Sequence, residues 1–416
     1  MAAVSASTAT MPTSHPPGDA HQSHFSISKF ITRLKLRAKR AEKRRDRSEQ
    51  VDTRPPLIPS PLPLVLPQHQ ATLSHLGWTT ITFPQPSRTS SPPSTSTVSS
   101  APPSAPGAHP LQQASQALFA AAQAFFAQPA SEKQRWKHRL ASEEGWSHIP
   151  GEKEFITLRT LAYTPDVLKG PAKTYWDLMG SQLNSTLGRL SIAVGLPDGN
   201  GEGSGEGFER FVGPCATMGA EEEDKTATML RIFRYEGWEA KVVAEPHADL
   251  GLLSCVVGDV PGLEVWDGTR FFDVERHYDE PCATMLVGRQ LERFSNGRFP
   301  AGGHRVVSYG RPRHPASSSA KGATSEKLGT EKPQYRHSIV FVLRAHELTP
   351  VHSDALETQV TGKWDEPVDG VTAGELYEQI RKAHFNINID KEEREKQRRK
   401  LLGGKGGKDA GREGSG

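Results

Sequence analysis

The stretch Glu245-Pro246-His247-Ala248-Asp249-Leu250-Gly251 decides how this chain is read. A histidine and a carboxylate two residues apart head the apolar run Leu252-Leu253-Ser254-Cys255-Val256-Val257. In a strand, residues i and i+2 share a face. A strand beginning here therefore aims an imidazole nitrogen and a carboxylate oxygen at one point, where a cation could sit if a third ligand arrives from elsewhere.

The tripeptide alone decides little, because the chain holds three of its kind: His247/Asp249, His277/Asp279 and His352/Asp354. Context separates them. His352 follows the last β run and has only His384 after it, while His277 lies in Glu275-Arg276-His277-Tyr278-Asp279-Glu280-Pro281, which reads as a turn. His247 has a partner histidine at another strand start, His304, directly before Arg305-Val306-Val307. Two strand ends far apart in sequence can meet at one mouth of a barrel. Further on, Arg336 and Ser338 again occupy i and i+2, in Tyr335-Arg336-His337-Ser338-Ile339-Val340-Phe341. An arginine facing inward in so apolar a strand needs a counter-charge, and its planar fork suits a carboxylate, with the serine hydroxyl adding a hydrogen bond.

The surroundings divide into a helical half and a β half. A short helix is expected to lead into a strand at Trp78–Phe83. Leu111–Gln128 has apolar residues at helical spacing, ends at Pro129, and is followed by a polar helix from Ser131; Ala172–Val194 carries a third apolar stripe. Beyond an acidic, glycine-rich surface loop at 197–224, short β runs follow: Ala227–Tyr235, Leu252–Val257, Gly262–Trp266, Arg270–Val274, Ala283–Val287, Arg305–Tyr309 and Tyr335–Leu343. Their number and punctuation imply a sandwich or barrel. A helix over Ala373–His384 and a charged tail close the chain.

Composition sets the limits. The 416 residues include Pro 32 and Gly 38, and mean hydropathy is −0.56, so one folded core with polar inserts is expected rather than several domains. The formal charge of +3 hides ten basic and two acidic residues between Lys29 and Arg47, which leaves the rest of the chain at −5. That body gives no electrostatic reason to expect nucleic-acid binding. The basic tail reads as solvated and disordered, with a nuclear-localisation patch at 39–47 or a transit segment as other readings. Three scattered cysteines form no disulfide framework or zinc knuckle and suit reduced thiols inside a cell. No apolar run reaches the length of a membrane span.

With these residues in hand, the chain resembles the isopenicillin N synthase-like branch of the iron(II)/2-oxoglutarate-dependent dioxygenases. The likeness rests on His247-Ala248-Asp249, His304-Arg305-Val306 and Arg336-His337-Ser338. Flanking matches are Leu230-Arg231-Ile232-Phe233-Arg234-Tyr235, Asp249-Leu250-Gly251-Leu252-Leu253, Pro261-Gly262-Leu263-Glu264-Val265 and Asn296-Gly297-Arg298, with Phe125-Phe126, Pro129, Glu132-Lys133 and Gly145-Trp146 in the helical half. It covers roughly residues 57–390 apart from inserts.

The resemblance implies an α+β fold, a double-stranded β-helix (jelly-roll) core with an N-terminal helical region packed against it. The corresponding layout is a disordered basic tail at 1–56, a helical region at 57–225 with a Ser/Pro-rich insertion at 87–110, a jelly-roll domain at 226–348 with a polar insertion at 311–332, and a C-terminal helix and charged tail at 349–416. It also implies that His247, Asp249 and His304 ligate Fe(II), and that Arg336 and Ser338, assisted by Tyr235, hold the distal carboxylate of the 2-oxoglutarate cosubstrate. With O2, such a centre oxidises an unactivated C–H bond of a small organic substrate, by hydroxylation, desaturation or ring closure, and releases succinate and CO2. A monomer inside the cell, in cytoplasm or nucleus, is expected. Two other readings stay open: a non-haem iron oxidase of the same fold without 2-oxoglutarate, and a catalytically silent scaffold. Arg336 follows His304 by 32 residues, a longer interval than the family's, because of the 311–332 insertion.

Overall fold

A computed structural model describes residues 53–83, 109–139, 142–197, 207–236, 240–276, 282–309 and 335–382, with short pieces between 384 and 399. The basic tail, most of the 87–110 and all of the 311–332 insertions, and His277/Asp279 lie outside the described residues.

Helix α1 (Gln70–Leu76) ends at Gly77 in the left-handed region and delivers the chain into β1 (Trp78–Thr82). Helix α2 (Pro110–Phe126) precedes the short α3 (Ala130–Gln134), strands β2 (Gly145–Ile149) and β3 (Lys153–Leu158), and the long α4 (Asp166–Ala193). The β half then runs through β4 (Met229–Tyr235), β5 (Ala240–His247), β6 (Leu253–Gly258), β7 (Leu263–Trp266), β8 (Phe271–Asp273) and β9 (Cys282–Val287). Helix α5 (Arg289–Phe294), β10 (His304–Tyr309), β11 (Arg336–Leu343), the paired β12 (Pro350–Val351) and β13 (Val371–Thr372), and α6 (Ala373–Lys382) complete it.

The strands form a seven-stranded sheet in the order β1-β9-β6-β11-β4-β3-β2 and a four-stranded sheet in the order β5-β10-β7-β8. All of these pairings are antiparallel. Alternation along each strand sorts the side chains of the large sheet. One parity, including Ile156, Leu230, Ile232, Cys255, Met285, Ile339 and Phe341, packs against Leu118, Phe125, Tyr175, Trp176 and Met179 of α2 and α4. The other parity, including Trp78, Phe155, Phe233, Val256 and Leu286, meets Val243, Leu263, Val265 and Val306 of the small sheet. The result is three layers: helices, large sheet, small sheet. This is the jelly-roll arrangement implied above, with two facing sheets in place of a closed barrel.

Five strands, β2, β3, β5 and the two-residue β12 and β13, go beyond the sequence reading. Lys153 and Glu154 disguise β3 as a surface segment, yet both are buried. Glu154 faces the helices and accepts from Lys133 Nζ and Trp146 Nε1, each at 2.9 Å, with Arg234 also paired to it. Helix α4 starts six residues before the expected Ala172. Pro165 at φ −53° presets the first turn, Asp166 complements the N-terminal dipole and Leu168 is buried. Pro171 therefore sits inside the helix, at the cost of one backbone hydrogen bond. The 197–224 stretch was expected to be a surface loop. Its described part turns inward, burying Phe208, Phe211, Val212 and Cys215 against the helices.

Trp176 joins these layers: its ring meets Phe341 of β11 edge-on at 5.3 Å, and its indole N–H donates to Cys215 O at 3.3 Å. Trp176→Ala is expected to lower the unfolding free energy by about 3–5 kcal/mol. Urea titration checks this; a loss below ~1 kcal/mol would show that α4 is not locked to the sheet through this ring.

Candidate metal centre

The centre is assembled by β5 and β10. Their register sets His247, the last residue of β5, opposite His304, the first of β10, and the imidazole centroids lie 4.2 Å apart. His247 Nδ1 meets the carbonyl of Glu245 at 2.7 Å, and His304 Nδ1 meets that of Gly302 at 3.1 Å. A carbonyl accepts only, so each Nδ1 carries the proton and each Nε2 presents its lone pair. Tying the second ring nitrogen in this way is how metal-binding histidines are commonly oriented.

Asp249 completes the group. One carboxylate oxygen lies 3.8 Å from His247 Nε2 and the other 4.0 Å from His304 Nε2. Among the described residues, His247, Asp249 and His304 are the one set of three with ligand atoms within 4.8 Å of one another. The expected reason was partly wrong. His247 ends a strand rather than beginning one, and Asp249 lies beyond it, in the turn that leads to β6. Convergence comes from that turn, not from the two-residue period of a strand.

The turn is held tightly. Backbone N–H groups of Arg289 and Gln290 donate to the carbonyls of Asp249 at 2.8 Å and Gly251 at 3.0 Å. A Cβ on Gly251 would stand 2.6 Å from Leu343 O, so glycine alone allows this approach. The Gly302-Gly303 segment before His304 is equally constrained: Gly302 N–H donates to Val287 O at 2.9 Å, and a Cβ there would lie 2.3 Å from Gly77 O.

Electrostatics suit a cation. Burial, reinforced by the neighbouring His304, holds the His247 imidazole below the usual histidine range and therefore neutral. Burial alone would raise Asp249, but its neighbours His304 and His247 outweigh that and keep the carboxyl low. Asp249 Oδ2 is buried with no hydrogen-bond partner. An orphaned carboxylate oxygen facing two imidazole Nε2 atoms is a donor set that fits Fe(II).

The second predicted group lies on the inner face of the large sheet. Tyr235 and Arg336 are directly opposite across β4 and β11, and Ser338 is the next inward residue of β11. Arg336 is buried, and sequence reasoning missed its partner. Glu275 accepts from Arg336 Nη2 at 3.1 Å and from the backbone N–H groups of Gly262 and Leu263 at 2.7 and 2.8 Å, while Arg336 Nε donates to Val260 O at 3.0 Å. The signal was available in an acid three residues beyond Phe272, hidden because its stretch read as a turn. Arg336 Nη1 and Ser338 Oγ remain buried and unpartnered. Burial pushes the Tyr235 hydroxyl up despite the nearby guanidinium, so it stays protonated and able to donate. His352, by contrast, pairs with Asp369 at the surface, apart from the triad.

No protein-family model matches the chain. It is 30% identical over 127 residues to Probable flavonol synthase 6 of Arabidopsis thaliana, covering 28% of this chain and 43% of that one. It is 28% identical over 191 residues to the 2-oxoglutarate-dependent dioxygenase ecdK of Aspergillus rugulosus, covering 43% and 48% respectively. The chain thus spans less than half the length of these relatives. Among solved structures, a 2OG-Fe(II) oxygenase family protein of Caulobacter crescentus superposes with a TM-score of 0.50 at 17% identity, covering 75% of this chain and 91% of that one. JOX2 in complex with 2OG, Fe and JA superposes at 0.50 with 14% identity, covering 80% and 89%. The sequence is similar to that of 2-oxoglutarate-dependent dioxygenases and the fold is theirs, which bears out the resemblance read from the motifs. No helix among the described residues is long and apolar enough to cross a membrane.

Lys153, fully buried on the inner face of β3, supplies a pH test. Burial pulls its ammonium down to about 7 from the ordinary 10.5. Its Nζ donates only to neutral oxygens, Ile387 O at 3.3 Å and Asn388 Oδ1 at 3.1 Å. Between those two values the unfolded chain binds the proton and the folded chain does not, so stability rises with pH across the window. Below about 7 both states are protonated, and the burial penalty is fully present. Lys153→Met removes the titration. Wild type should gain stability relative to the variant between about pH 7 and 10, read by denaturant unfolding; a gap independent of pH would contradict the assignment.

Proposed function

We propose that the chain is an iron(II)- and 2-oxoglutarate-dependent dioxygenase that oxidises a C–H bond of a small organic molecule. The observation that carries this reading is two groups of buried, unpartnered polar atoms: Asp249 Oδ2 in the triad, and Arg336 Nη1 with Ser338 Oγ on the facing sheet.

His247 and His304 would hold Fe(II) through Nε2, their tautomers fixed by the carbonyls of Glu245 and Gly302, and Asp249 would give the anionic ligand. Three ligands from one side leave the other side open to cosubstrate and oxygen. When bound, iron and 2-oxoglutarate together supply the activation of O2, with release of succinate and CO2, that oxidises the substrate. Arg336 and Ser338 would receive the far carboxylate of 2-oxoglutarate, with the Tyr235 hydroxyl as a further donor. Glu275 fixes the guanidinium before any ligand arrives, which lowers the ordering cost of binding. The apolar walls formed by Phe155, Phe233, Val256, Val265 and Val306 exclude water from the space between the sheets and strengthen every charge interaction in it. Hydroxylation, desaturation and ring closure are all compatible with such a site.

Glu275 also favours a second reading. Because it already neutralises Arg336, a non-haem iron oxidase that needs no distal carboxylate could use the same centre.

Anaerobic addition of Fe(II) and then 2-oxoglutarate to the full chain distinguishes the two. A visible charge-transfer band should develop and be abolished in His247→Ala. Arg336→Ala should raise the 2-oxoglutarate concentration needed for half-development at least about ten-fold, the worth of one charge-assisted hydrogen bond. Iron binding without response to 2-oxoglutarate favours the oxidase, and absence of metal binding rules out both.

A further inference from the structure

We propose that the substrate is an organic anion, a carboxylate on an apolar body, and that Arg231 receives the carboxylate. The inference deepens the dioxygenase reading, since it takes the triad as the place of reaction.

Arg231 lies on the inner face of β4, in line with Phe233 and Tyr235, directly opposite Thr157 of β3. Its Nε donates to Thr157 Oγ1 at 2.7 Å, which fixes the guanidinium. Among the described residues no hydrogen bond or ion pair reaches its Nη atoms. The residue as a whole is half-buried. The Phe155 ring that it contacts packs with Val243 of β5 and Val306 of β10, the strands that carry His247 and His304.

The other inward cations are accounted for differently. Arg336 has Glu275, and Arg344 Nη1 donates to Glu143 at 2.9 Å. The carboxylate whose charge bears most on Arg231 is Glu143, ahead of Asp249, but the Glu143 hydrogen bond belongs to Arg344. Lys153, two inward positions from Thr157, meets neutral oxygens only. The inner face of β3 and β4 thus carries one guanidinium, Arg231, with no carboxylate in ion-pair distance among the described residues, and beside it Lys153, whose ammonium burial disfavours. Burying a guanidinium without a counter-charge is costly. An incoming anion would offset that cost, a neutral substrate would leave it in place, and a cationic one would be repelled.

The body of the ligand follows from what lies between Arg231 and Lys153. Phe155 and Phe233 face each other with centroids 5.4 Å apart. Arg231 sits 5.5 Å from the Phe155 ring and Lys153 5.5 Å from the Phe233 ring. A carboxylate paired to the fork of Arg231 would therefore carry its apolar portion along an aromatic wall. The fork suits a carboxylate because it binds both oxygens at once.

Two acid/amide pairs, 3-phenylpropionate with 3-phenylpropanamide and octanoate with octanamide, test the proposal by calorimetry on the full chain, anaerobically and with saturating 2-oxoglutarate. At least one acid should bind about ten- to a hundred-fold more tightly than its amide. Arg231→Gln should erase the ratio, and Arg231→Lys should keep part of it, since the charge survives without the fork. Near-UV circular dichroism verifies that both variants are folded. Acids binding no better than amides, neither acid binding at all, or a ratio that survives Arg231→Gln would each overturn the proposal. The charge-transfer band of the wild type is recorded alongside: without it the dioxygenase reading falls, whereas a band with no acid preference overturns only the assignment to Arg231.

Discussion

The pairing of His304 with His247 across β5 and β10 is the constraint on which the rest of the site depends. These strands belong to the small sheet, where a slip of one residue would turn both imidazoles to the outer face. Val243 and Val306 buried on the inner side oppose that slip, because it would expose them. Each imidazole is then tied through Nδ1 to a carbonyl two residues earlier in its own chain. The orientation of both rings is thus a local property of two strand ends, and only Asp249 depends on a longer-range contact, through the turn packed on α5 and on Leu343.

The large sheet separates stability from chemistry by parity. On β11, Ile339, Phe341 and Leu343 turn to the helices, and Arg336 and Ser338 turn to the small sheet. On β4, Leu230 and Ile232 face the helices, while Arg231, Phe233 and Tyr235 face inward. A sheet buried on both faces commonly reads as a continuous apolar run. Here one face carries polar groups instead, and the packing of α2 and α4 on the other face supplies the stability that those groups forgo.

That division explains what could be read from the sequence. Apolar runs announced β4, β6, β9 and β11, and helical spacing announced α2 and α4, because hydrophobic burial sets both periods. The triad was legible because residue type and the adjoining apolar runs together selected His247, Asp249 and His304, although His247 proved to end a strand and not to begin one. Asp249, however, converges through a turn whose geometry depends on Gly251 meeting Leu343, a contact no local pattern records. Strand β3 was illegible for a related reason. Lys153 and Glu154 look solvated until Lys133, Trp146 and Arg234, all distant in sequence or on other elements, are seen to enclose the glutamate. Glu275 was hidden in the same way: its role is defined by Arg336, 61 residues away.

Glu275 also bears on how a cosubstrate could be accommodated. A guanidinium already paired with one carboxylate would seem a poor receiver for another. Yet the Glu275 oxygen nearest the backbone accepts from Gly262 and Leu263 as well, so part of its charge is spent on those donors. Arg336 keeps Nη1 unpartnered on the side of Ser338, and Nε is occupied by a neutral carbonyl. A second carboxylate could then approach a guanidinium whose direction is already fixed, meeting a serine hydroxyl and a protonated tyrosine on either side. The cost of two carboxylates near one arginine is eased by these neutral donors, and the gain is a receiver that needs no rearrangement when its ligand arrives. In this arrangement Glu275 acts as the support of the binding group rather than as its competitor.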